Sequence, residues 1–441
     1  MASSILVARL LGPGEYGTYL FVTTIMSLGG LVAMAGLNEA ALRFISESLA
    51  HGKTSAARAY LRQALVIAAG TSVVASLVVT GGLVLTRWGQ ELPHFATLLV
   101  LVAVGLVVLG WQQLGAELVR AYGDLRIASL FSGGQAGGPV SNLLFLIGMV
   151  VAAAGFVQLN ATVAIGLLVV SLCLTCPVLF GLLAQLDRSR ASSSADDRSL
   201  SANQRRELFT VAGVLLMNQL LAFATLQIDI WLAGGLLSAE SLGLYGAAKR
   251  TLLTAAMPVQ MAMLTIVSSI PRLYALQQKA SLERLVRSAA TAAAIPSLAA
   301  IALLMLFPRQ LLALVLGSAY VAAAPVLMVM AVGHVVLVLS GNPQHVLTMT
   351  GRHRLVLMVN LLSALLLVVA GAIGAHWFGA VGLAAASAGS LMVQNGLLWL
   401  LARNELGIWT HVGRPALNHS TPDVTTAEFA NPVEPLPSSS A

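Results

Sequence analysis

Long apolar runs, separated by short polar segments, extend along most of the chain. Several runs without charged residues have close to the roughly 20 residues that a helix needs to cross about 30 Å of hydrocarbon; they include Tyr16–Asn38, Gln63–Thr86, Leu208–Ile228 and Ser288–Pro308. Lipid offers the backbone no hydrogen-bond partners, so only helices and closed barrels span membranes, and runs of this length favour helices. The pattern therefore predicts an all-α membrane protein with many spans.

The boundaries of the apolar runs predict about twelve transmembrane helices in two groups of six. The first group comprises a partial helix Ala2–Leu11, then Gly17–Asn38, Gln63–Thr86, Phe95–Ala116, Ile127–Ala154 and Ala161–Leu186. The second group comprises Leu208–Gly234, Leu242–Ile270, Ser288–Pro308, Ala323–Gly341, Leu355–Ala375 and Ala380–Ala402. We therefore expect an N-terminal lobe (residues 1–186), a polar linker (187–207), a C-terminal lobe (208–403) and a polar, disordered tail (404–441).

Short sequence matches indicate that the two groups are repeats. Leu-Leu followed by Gly-x-Tyr occurs at Leu10–Tyr19 and again, 226 residues later, at Leu236–Tyr245. Similar pairs are Gly123–Arg126 with Gly351–Arg354 and Ala164–Leu167 with Ala380–Leu383. An even number of helices per repeat gives both copies the same orientation, the parallel-repeat arrangement of some transporters. A full helix precedes the second copy of the motif but only about ten residues precede the first, so we expect a truncated first helix.

Composition and charge agree with a membrane protein and indicate its orientation. Hydrophobic residues make up 58% of the chain and charged residues 9%, and the mean hydropathy is +0.87. The net charge of +7 does not indicate nucleic-acid binding, because most basic residues lie in short loops between spans. Placing the linker in the cytoplasm puts nineteen of the 24 basic residues on that side. This predicts that both termini are cytoplasmic, and the start shows no cleavable signal peptide.

Several motifs resemble those of a known transporter family. The segment Ala8–Gly17 (ARLLGPGEYG) resembles the opening of bacterial polysaccharide flippases, which belong to the multidrug/oligosaccharidyl-lipid/polysaccharide exporter superfamily. Gly243–Arg250 is similar to the family's second-lobe segment, and Gly317–Leu327 and Leu347–Arg352 are similar to later motifs. The resemblance covers about residues 8–403 and implies twelve to fourteen helices.

The resemblance also implies a function: export of a polyprenyl-(pyro)phosphate-linked oligosaccharide or polysaccharide precursor across the bacterial inner membrane. The expected partners are the lipid-linked glycan, membrane lipid, a polysaccharide polymerase and glycosyltransferases. We expect a transporter rather than an enzyme, with no cofactor, no metal and no bound nucleic acid.

Two adjacent cations within a predicted span are the first site candidates. Lys249 and Arg250 lie seven and eight residues into their span, and charges at such depth are costly and often functional. One of them is expected to face a central cavity and to bind phosphate, for which a guanidinium offers two parallel hydrogen bonds. The alternative is a structural ion pair with Asp229 at similar depth on the preceding helix. Asp229 is also a candidate for coupling transport to a proton or sodium gradient.

The remaining candidates have structural alternatives. Arg9 is a second possible contact for an anionic substrate or a snorkelling arginine at the membrane boundary. Asn218 and Gln219 could bind sugar hydroxyls or a neighbouring helix. The segment Gly133–Pro139 predicts a discontinuous helix lining the cavity or a close-packing face. Cys173 and Cys176 lack the further ligands of a metal site.

Two other functions fit the same pattern less well. A cation-coupled multidrug exporter of the same superfamily would favour acidic residues in the spans, where this chain has Lys249 and Arg250. A membrane glycosyltransferase or ligase needs a large outer loop or a pair of catalytic carboxylates, whereas the predicted outer loops are short. No phosphate-binding loop of the ATPase type occurs in the sequence.

Overall fold

A computed structural model describes residues 2–85, 95–133, 137–155, 158–189, 200–267 and 269–413. Sixteen α-helices occupy most of these residues. They are α1 (Ala2–Ala33), α2 (Leu37–Ala50), α3 (Thr54–Leu85), α4 (Phe95–Ala121), α5 (Leu125–Phe131), α6 (Pro139–Ala154), α7 (Ala161–Ser189), α8 (Ala202–Leu236), α9 (Ala239–Ala255), α10 (Met257–Ile266), α11 (Ser269–Ala275), α12 (Lys279–Leu306), α13 (Pro308–Val315), α14 (Ala324–Ser340), α15 (Pro343–Met349) and α16 (His353–Leu406). A 3₁₀ helix, Ser318–Ala323, precedes α14. Residues outside the described ranges include Arg87, residues 190–199 of the linker with Arg190 and Arg198, and residues 414–441 of the tail with Arg414.

Within the described residues, eight helical segments are long and apolar enough to cross a membrane: α1, α3, α4, α7, α8, α12, α14 with its preceding 3₁₀ turn, and α16. The shorter apolar helix α6 adds a further segment. The prediction of an all-α, multi-pass membrane protein is confirmed.

The longest helix, α16, contains two of the predicted spans. Gly379 adopts a non-helical conformation with a positive φ of 60°, and the chain reverses there. A Cβ on Gly374 would lie 2.6 Å from the carbonyl oxygen of Gly382, and the Ser390 hydroxyl donates to the Ser363 carbonyl oxygen at 2.6 Å. The two arms, residues 353–378 and 380–406, are therefore antiparallel spans, as predicted.

A glycine also divides α1. Gly12 has φ 74° and ψ 168°, and the following residue, Pro13, is suited to the start of a helix because it lacks an N–H. Ser4 lines a cleft with Thr254 near the end of α9, whereas Pro13 contacts Gly243 near its beginning. Residues 2–11 thus form a short arm that folds back beside the longer arm, as the sequence predicted.

Two predicted spans are longer than the helices in the structure, because the sequence analysis missed the turns that end or divide those helices. Gly17–Asn38 was wrong at its end: the helix stops at Ala33, and Ala35 (φ 49°) and Gly36 (φ 76°) form a left-handed turn before α2. Leu242–Ile270 was wrong as one helix, since it divides into α9, α10 and α11. Pro258 lies in the first turn of α10, where its missing N–H costs no helical hydrogen bond.

The predicted span Ile127–Ala154 is not one continuous helix, in agreement with the discontinuous alternative predicted for Gly133–Pro139. It divides into α5 and α6, separated at the glycine-rich segment that was predicted to be discontinuous. Gly137 has a φ of +74°, and Pro139 begins α6. Asn142 donates to the carbonyl oxygens of Gly137 and Gly138 at 3.0 and 3.1 Å, which gives the Gly137 carbonyl, before the helix begins, a hydrogen-bond partner. Residues 134–136 of this segment lie outside the described residues.

Two glycines at matching positions of the repeat bring the halves of the chain together. Gly17 lies against the backbone of Ala239, and Gly243 lies against the backbone of Pro13; a Cβ on either would overlap the facing carbonyl oxygen. Positions 13 and 239, like 17 and 243, differ by the repeat offset of 226. The contact is therefore reciprocal, as expected where a two-fold axis relates two repeats. Small residues permit such close helix approach in membranes.

A second repeated position has the same turn in both halves. Gly123 after α4 has a φ of +85°, and Gly351 after α15 has a φ of +84°. In each turn the glycine N–H bonds to the carbonyl three residues back, and the next N–H bonds to the carbonyl five residues back. This is the hydrogen-bond pattern of a glycine-terminated helix. The sequence repeat at offset 228 is thus a structural repeat as well.

After α16 the chain returns to the helix ends, and we call residues 407–413 the C-terminal strap. Thr410 is fully buried; its hydroxyl donates to the Ser340 carbonyl oxygen at 2.8 Å, and its own carbonyl contacts Gly341. The Val412 N–H donates to the Leu339 carbonyl at 3.0 Å. The Gly413 N–H donates to the Thr291 hydroxyl at 3.1 Å. The strap therefore joins α12, α14 and α16 at one end of the bundle. The prediction of a disordered tail from residue 404 was wrong for residues 404–413, because they complete α16 and bond to the helix ends.

Gly17→Ala and Gly243→Ala should each lower the free energy of unfolding by about 1–3 kcal/mol, the usual cost of overpacking. The reason is that the added methyl group would overlap a backbone carbonyl oxygen of the other half. The midpoint of thermal unfolding in detergent micelles measures the effect. Gly14→Ala and Gly235→Ala are matched controls, because a Cβ at either position meets nothing within 4 Å. Equal midpoints for test and control variants would contradict the close contact.

Gly341→Ala should displace the C-terminal strap, because the new methyl group would overlap the Thr410 carbonyl oxygen. A cysteine introduced at the buried position 410, in a protein without its native cysteines, should become reactive towards maleimide. Gly351→Ala is the control, since Gly351 has a similar positive φ but its Cβ would meet nothing within 4 Å. If both substitutions expose position 410 equally, packing against the strap is not the cause.

Candidate functional site

The helix pair α8–α9 brings the intramembrane charges to one depth. The connection between the helices is short, and the Ser238 hydroxyl accepts a hydrogen bond from the Ser241 N–H, which caps α9. Asp229 lies eight residues before Leu237, and Lys249 lies eleven residues after Ser238. Because the helices run back along each other, the two side chains meet.

Lys249 and Asp229 form a buried ion pair. Lys249 Nζ lies 2.7 Å from Asp229 Oδ1, and the side chains are only 16% and 6% exposed. The same ammonium donates to the Leu226 carbonyl oxygen at 2.8 Å. The structure thus places Lys249 in the ion pair that was the alternative to phosphate binding.

Further polar groups complete the surroundings of Asp229. Tyr245 OH donates to Asp229 Oδ2 at 3.0 Å, and the Ile230 N–H donates to Oδ1 at 2.9 Å. His334 on α14 is buried and interacts electrostatically with Lys249 and Asp229, while its Nδ1 lies 3.0 Å from the Met330 carbonyl oxygen. Each carboxylate oxygen therefore has at least one donor.

Sequence reasoning missed Tyr245 and His334 as members of this cluster. Tyr245 precedes Lys249 by one helical turn, so the two share a face of α9, and this spacing could have identified it. His334 is a titratable residue within an apolar span, which is itself a signal, but its partner depends on how α14 packs against α9.

The Arg250 side chain points in a different direction from the Lys249 side chain, because consecutive residues of a helix differ by about 100° in direction. It lines a small cleft between the two halves of the chain. The N-terminal half contributes Ser4, Ile5 and Tyr16; the C-terminal half contributes Ala247, Arg250, Thr251, Thr254 and Leu316. The side chain is half-buried and interacts electrostatically with Tyr16 and Tyr19.

Aromatic side chains pack against one another beside this cleft. Tyr16 packs edge-on against Tyr320, with ring centroids 6.2 Å apart, and stacks with Tyr19 at 6.3 Å. Tyr19 in turn stacks on Phe145 at 6.3 Å. Tyr320 OH donates to the Ala8 carbonyl oxygen at 2.8 Å, which ties the short arm of α1 to the 3₁₀ turn. The motif tyrosines therefore hold elements of both halves in place.

Five positions of the motif Ala8–Gly17 have a structural role. Gly12 reverses the chain, Pro13 starts the long arm, Tyr16 packs beside the cleft and Gly17 permits the close contact between halves. Glu15 Oε2 accepts a hydrogen bond from the Ala161 N–H at 2.6 Å and so caps α7.

The other predicted residues lie apart from the cleft lining. Arg9 and Asn218 are exposed. Gln219 donates to Asn38 Oδ1 at 3.2 Å, a bond between α8 and α2, and within the described chain its buried Oε1 has no partner. Gln219 precedes Asp229 by ten residues, about 15 Å of helix.

A buried polar network in the N-terminal half was not predicted. The fully buried Gln112 donates through Nε2 to Ser141 Oγ and the Phe131 carbonyl oxygen, at 2.5 and 3.3 Å. Ser141 Oγ lies 2.8 Å from Thr175 Oγ1. The network joins α4, α6 and α7 beside the break between α5 and α6. Gln112 lay inside a predicted apolar span, where a lone amide signals such a bond.

No group of three or more metal-ligating side chains occurs among the residues that the structure describes. Cys173 is exposed and Cys176 partly buried, and both thiols are unbridged.

Comparison with solved structures identifies the fold. The chain superposes on an inward-facing multidrug resistance transporter of the MATE family in the MOP superfamily, with TM-score 0.71, 18% identity and coverage of 92% of this chain and 93% of that one. It also resembles the inward closed lipid II flippase MurJ, with TM-score 0.64, 11% identity and coverage of 91% and 84%. A MOP superfamily transporter from Pyrococcus furiosus, described as having a binding pocket of reverse polarity that suggests a different function, matches with TM-score 0.56, 17% identity and coverage of 92% and 96%. The chain therefore has a MATE-like fold.

Sequence comparison identifies the family. No curated protein matches the chain. The family model described as polysaccharide biosynthesis protein matches residues 2–277, which include α1, the ion pair and Arg250. With the motifs of α1 and α9 both inside that match, the chain belongs to the polysaccharide biosynthesis protein family.

Proposed function

We propose that this protein is a flippase that moves a polyprenyl-(pyro)phosphate-linked oligosaccharide or polysaccharide precursor across a membrane. The observation that carries the proposal is the position of Arg250, which lines a cleft between the two halves of a polysaccharide-family chain. The transporter fold supports translocation rather than enzymatic catalysis.

The substrate makes opposite demands on its surroundings. Its sugars and phosphates need water, polar groups and positive charge, whereas the polyprenol tail is soluble in lipid. If the cleft between the halves widens during transport, the head group can pass between them while the tail stays in the bilayer. Alternating access, in which the halves rock about their interface, follows the logic of parallel repeats.

Arg250 is the proposed phosphate contact. Its planar guanidinium can bind phosphate through two hydrogen bonds, and Ser4, Thr251 and Thr254 supply hydroxyl groups to the same cleft. Lys249 is assigned to the ion pair with Asp229. Asn218 is proposed to contact sugar hydroxyls, and Gln219 to link the two halves of the chain. Arg9 is proposed to lie at the membrane boundary.

The proposed organisation comprises lobes at residues 1–186 and 208–403, joined by a linker at 187–207 and followed by a tail at 404–441 that begins with the end of α16 and the C-terminal strap. We place the protein in the bacterial inner membrane with both termini in the cytoplasm, because of the bias of basic residues. Glycosyltransferases would supply its substrate and a polysaccharide polymerase would consume the product.

A multidrug exporter is the second candidate, favoured by the likeness to a MATE family transporter. Its cationic substrates would prefer an anionic cleft, whereas the ionised residue that lines this cleft is an arginine. Deletion should distinguish the two functions: accumulation of lipid-linked intermediate supports the flippase, and altered drug sensitivity with normal surface glycan supports the exporter.

Arg250→Ala should reduce translocation by at least tenfold, since losing a charge-assisted hydrogen bond of about 1.5–3 kcal/mol corresponds to roughly that factor or more. The measurement is the accumulation of lipid-linked oligosaccharide in cells, normalised to membrane protein level. Arg250→Lys should restore part of the activity, because a point charge replaces the bidentate guanidinium.

Arg43→Ala is the matched control for Arg250→Ala. Arg43 is exposed on α2, 5.6 Å from the centroid of the Phe44 ring, and does not line the cleft. Loss of translocation in the control as well as in Arg250→Ala would assign the effect to net charge instead of to the cleft. Full activity of Arg250→Ala would remove Arg250 from the site.

The proposed orientation predicts which positions an impermeant maleimide can reach in intact spheroplasts. In a protein without native cysteines, a cysteine at Gln310 on α13 should be labelled from outside. A cysteine at Asn203 on α8 should be labelled only after permeabilisation. Both side chains are exposed on the protein surface. A difference in labelling would therefore report the side of the membrane and not burial within the protein. The opposite pattern of labelling would invert the topology.

A further inference from the structure

The oxygen atoms around the Lys249 ammonium form a cation-binding arrangement. Leu226 O and Asp229 Oδ1 lie 2.8 and 2.7 Å from Lys249 Nζ. Carboxylate and backbone carbonyl oxygens, of which this position has one each, are also hard ligands of the kind that metal cations such as sodium and potassium prefer. Lys249 thus fills a position that a free cation could occupy.

Asp229 is deeply buried, so its negative charge requires a compensating positive charge or proton. It is 4% exposed within an apolar helix bundle. An isolated carboxylate in such surroundings is very unfavourable, and removing one partner of a buried pair typically leaves an uncompensated charge. The ammonium meets this requirement without any ion from solution.

The groups that face the pair come from four helices. Leu226 and Asp229 lie on α8, Tyr245 and Lys249 on α9, and His334 on α14. Tyr245 also bonds to Ser387 on α16. Tyr245 OH and the Ile230 N–H already occupy other positions around the carboxylate. Replacing Lys249 would therefore leave vacant only the position that its ammonium group occupies.

We propose that Lys249 is a tethered substitute for a monovalent metal cation at Asp229, so that the native protein binds no free sodium or potassium at this position. The variant Lys249→Ala creates a binding site for such a cation. The inference deepens the proposed function, on which its consequence for transport rests: export would not be coupled to a sodium or potassium gradient through Asp229.

Thermal unfolding of the purified full chain in detergent tests this proposal without using a transport substrate. At fixed pH and ionic strength, the wild-type midpoint should be the same in sodium, potassium and choline chloride. Lys249→Ala should have a lower midpoint in choline that rises saturably with sodium or potassium. Methylammonium, which replaces the lost group chemically, should also raise that midpoint.

Two variants separate the cation site from general salt effects. In the double variant Asp229→Asn with Lys249→Ala, the carboxylate is absent and the cation-dependent shift should disappear. Lys249→Met removes the charge but fills much of the space, so it should show a smaller shift than Lys249→Ala.

Two results would overturn the proposal. One is a folded Lys249→Ala protein whose midpoint is unchanged by sodium, potassium and methylammonium. The other is a wild-type protein that sodium or potassium stabilises saturably, with the shift abolished by Asp229→Asn; this arm applies even if Lys249→Ala does not fold. A failure to move lipid-linked oligosaccharide would refute the proposed function but leave these measurements unaffected.

Discussion

The absence of hydrogen-bond partners in hydrocarbon is the constraint on which this structure depends. It forces nearly every described segment into helix, and it makes each interruption of a helix a place where backbone groups need another partner. At the break between α5 and α6, Gln112 and Asn142 supply such partners by bonding to the carbonyls of Phe131 and Gly137. Side-chain amides within apolar spans therefore provide hydrogen bonds that lipid cannot provide to the backbone.

The same constraint explains why glycine, and not a larger apolar residue, joins the halves. Helices in lipid gain little from hydrophobic burial against one another, so association depends on close van der Waals contact and polar bonds. Gly17 and Gly243 allow backbone to approach backbone across the interface, and they do so reciprocally. Because each half presents the same motif, one short sequence element creates both sides of the contact.

Much of the fold follows from the sequence, because apolar length and repeat spacing are local properties. The hairpin at Gly379 and the reversal at Gly12 were predicted from the ends of apolar runs. The interruption before α2 was not, because Ala35 and Gly36 adopt positive φ values that apolar composition does not disclose. The division of α9 from α10 could have been predicted from Pro258, although the preceding apolar run obscures it.

The candidate site was partly predictable for the same reason. Depth along a helix identified Lys249, Arg250 and Asp229, since depth follows from counting residues. Which cation faces which neighbour depends on how α9 is rotated against α8 and α1, and that is a property of packing. The contribution of His334 requires the contact between α9 and α14, which no local pattern contains.

The contrast between the two adjacent cations bears directly on substrate choice. Lys249 is neutralised by Asp229, so the ion pair contributes little net charge to its surroundings. Arg250, turned by about 100° from it, gives positive charge to the cleft instead. A cationic drug entering this cleft would lose hydration and meet a like charge, while a phosphate would exchange water for a guanidinium. The polarity of the cleft thus favours an anionic lipid-linked head group, although the overall fold is shared with a multidrug transporter.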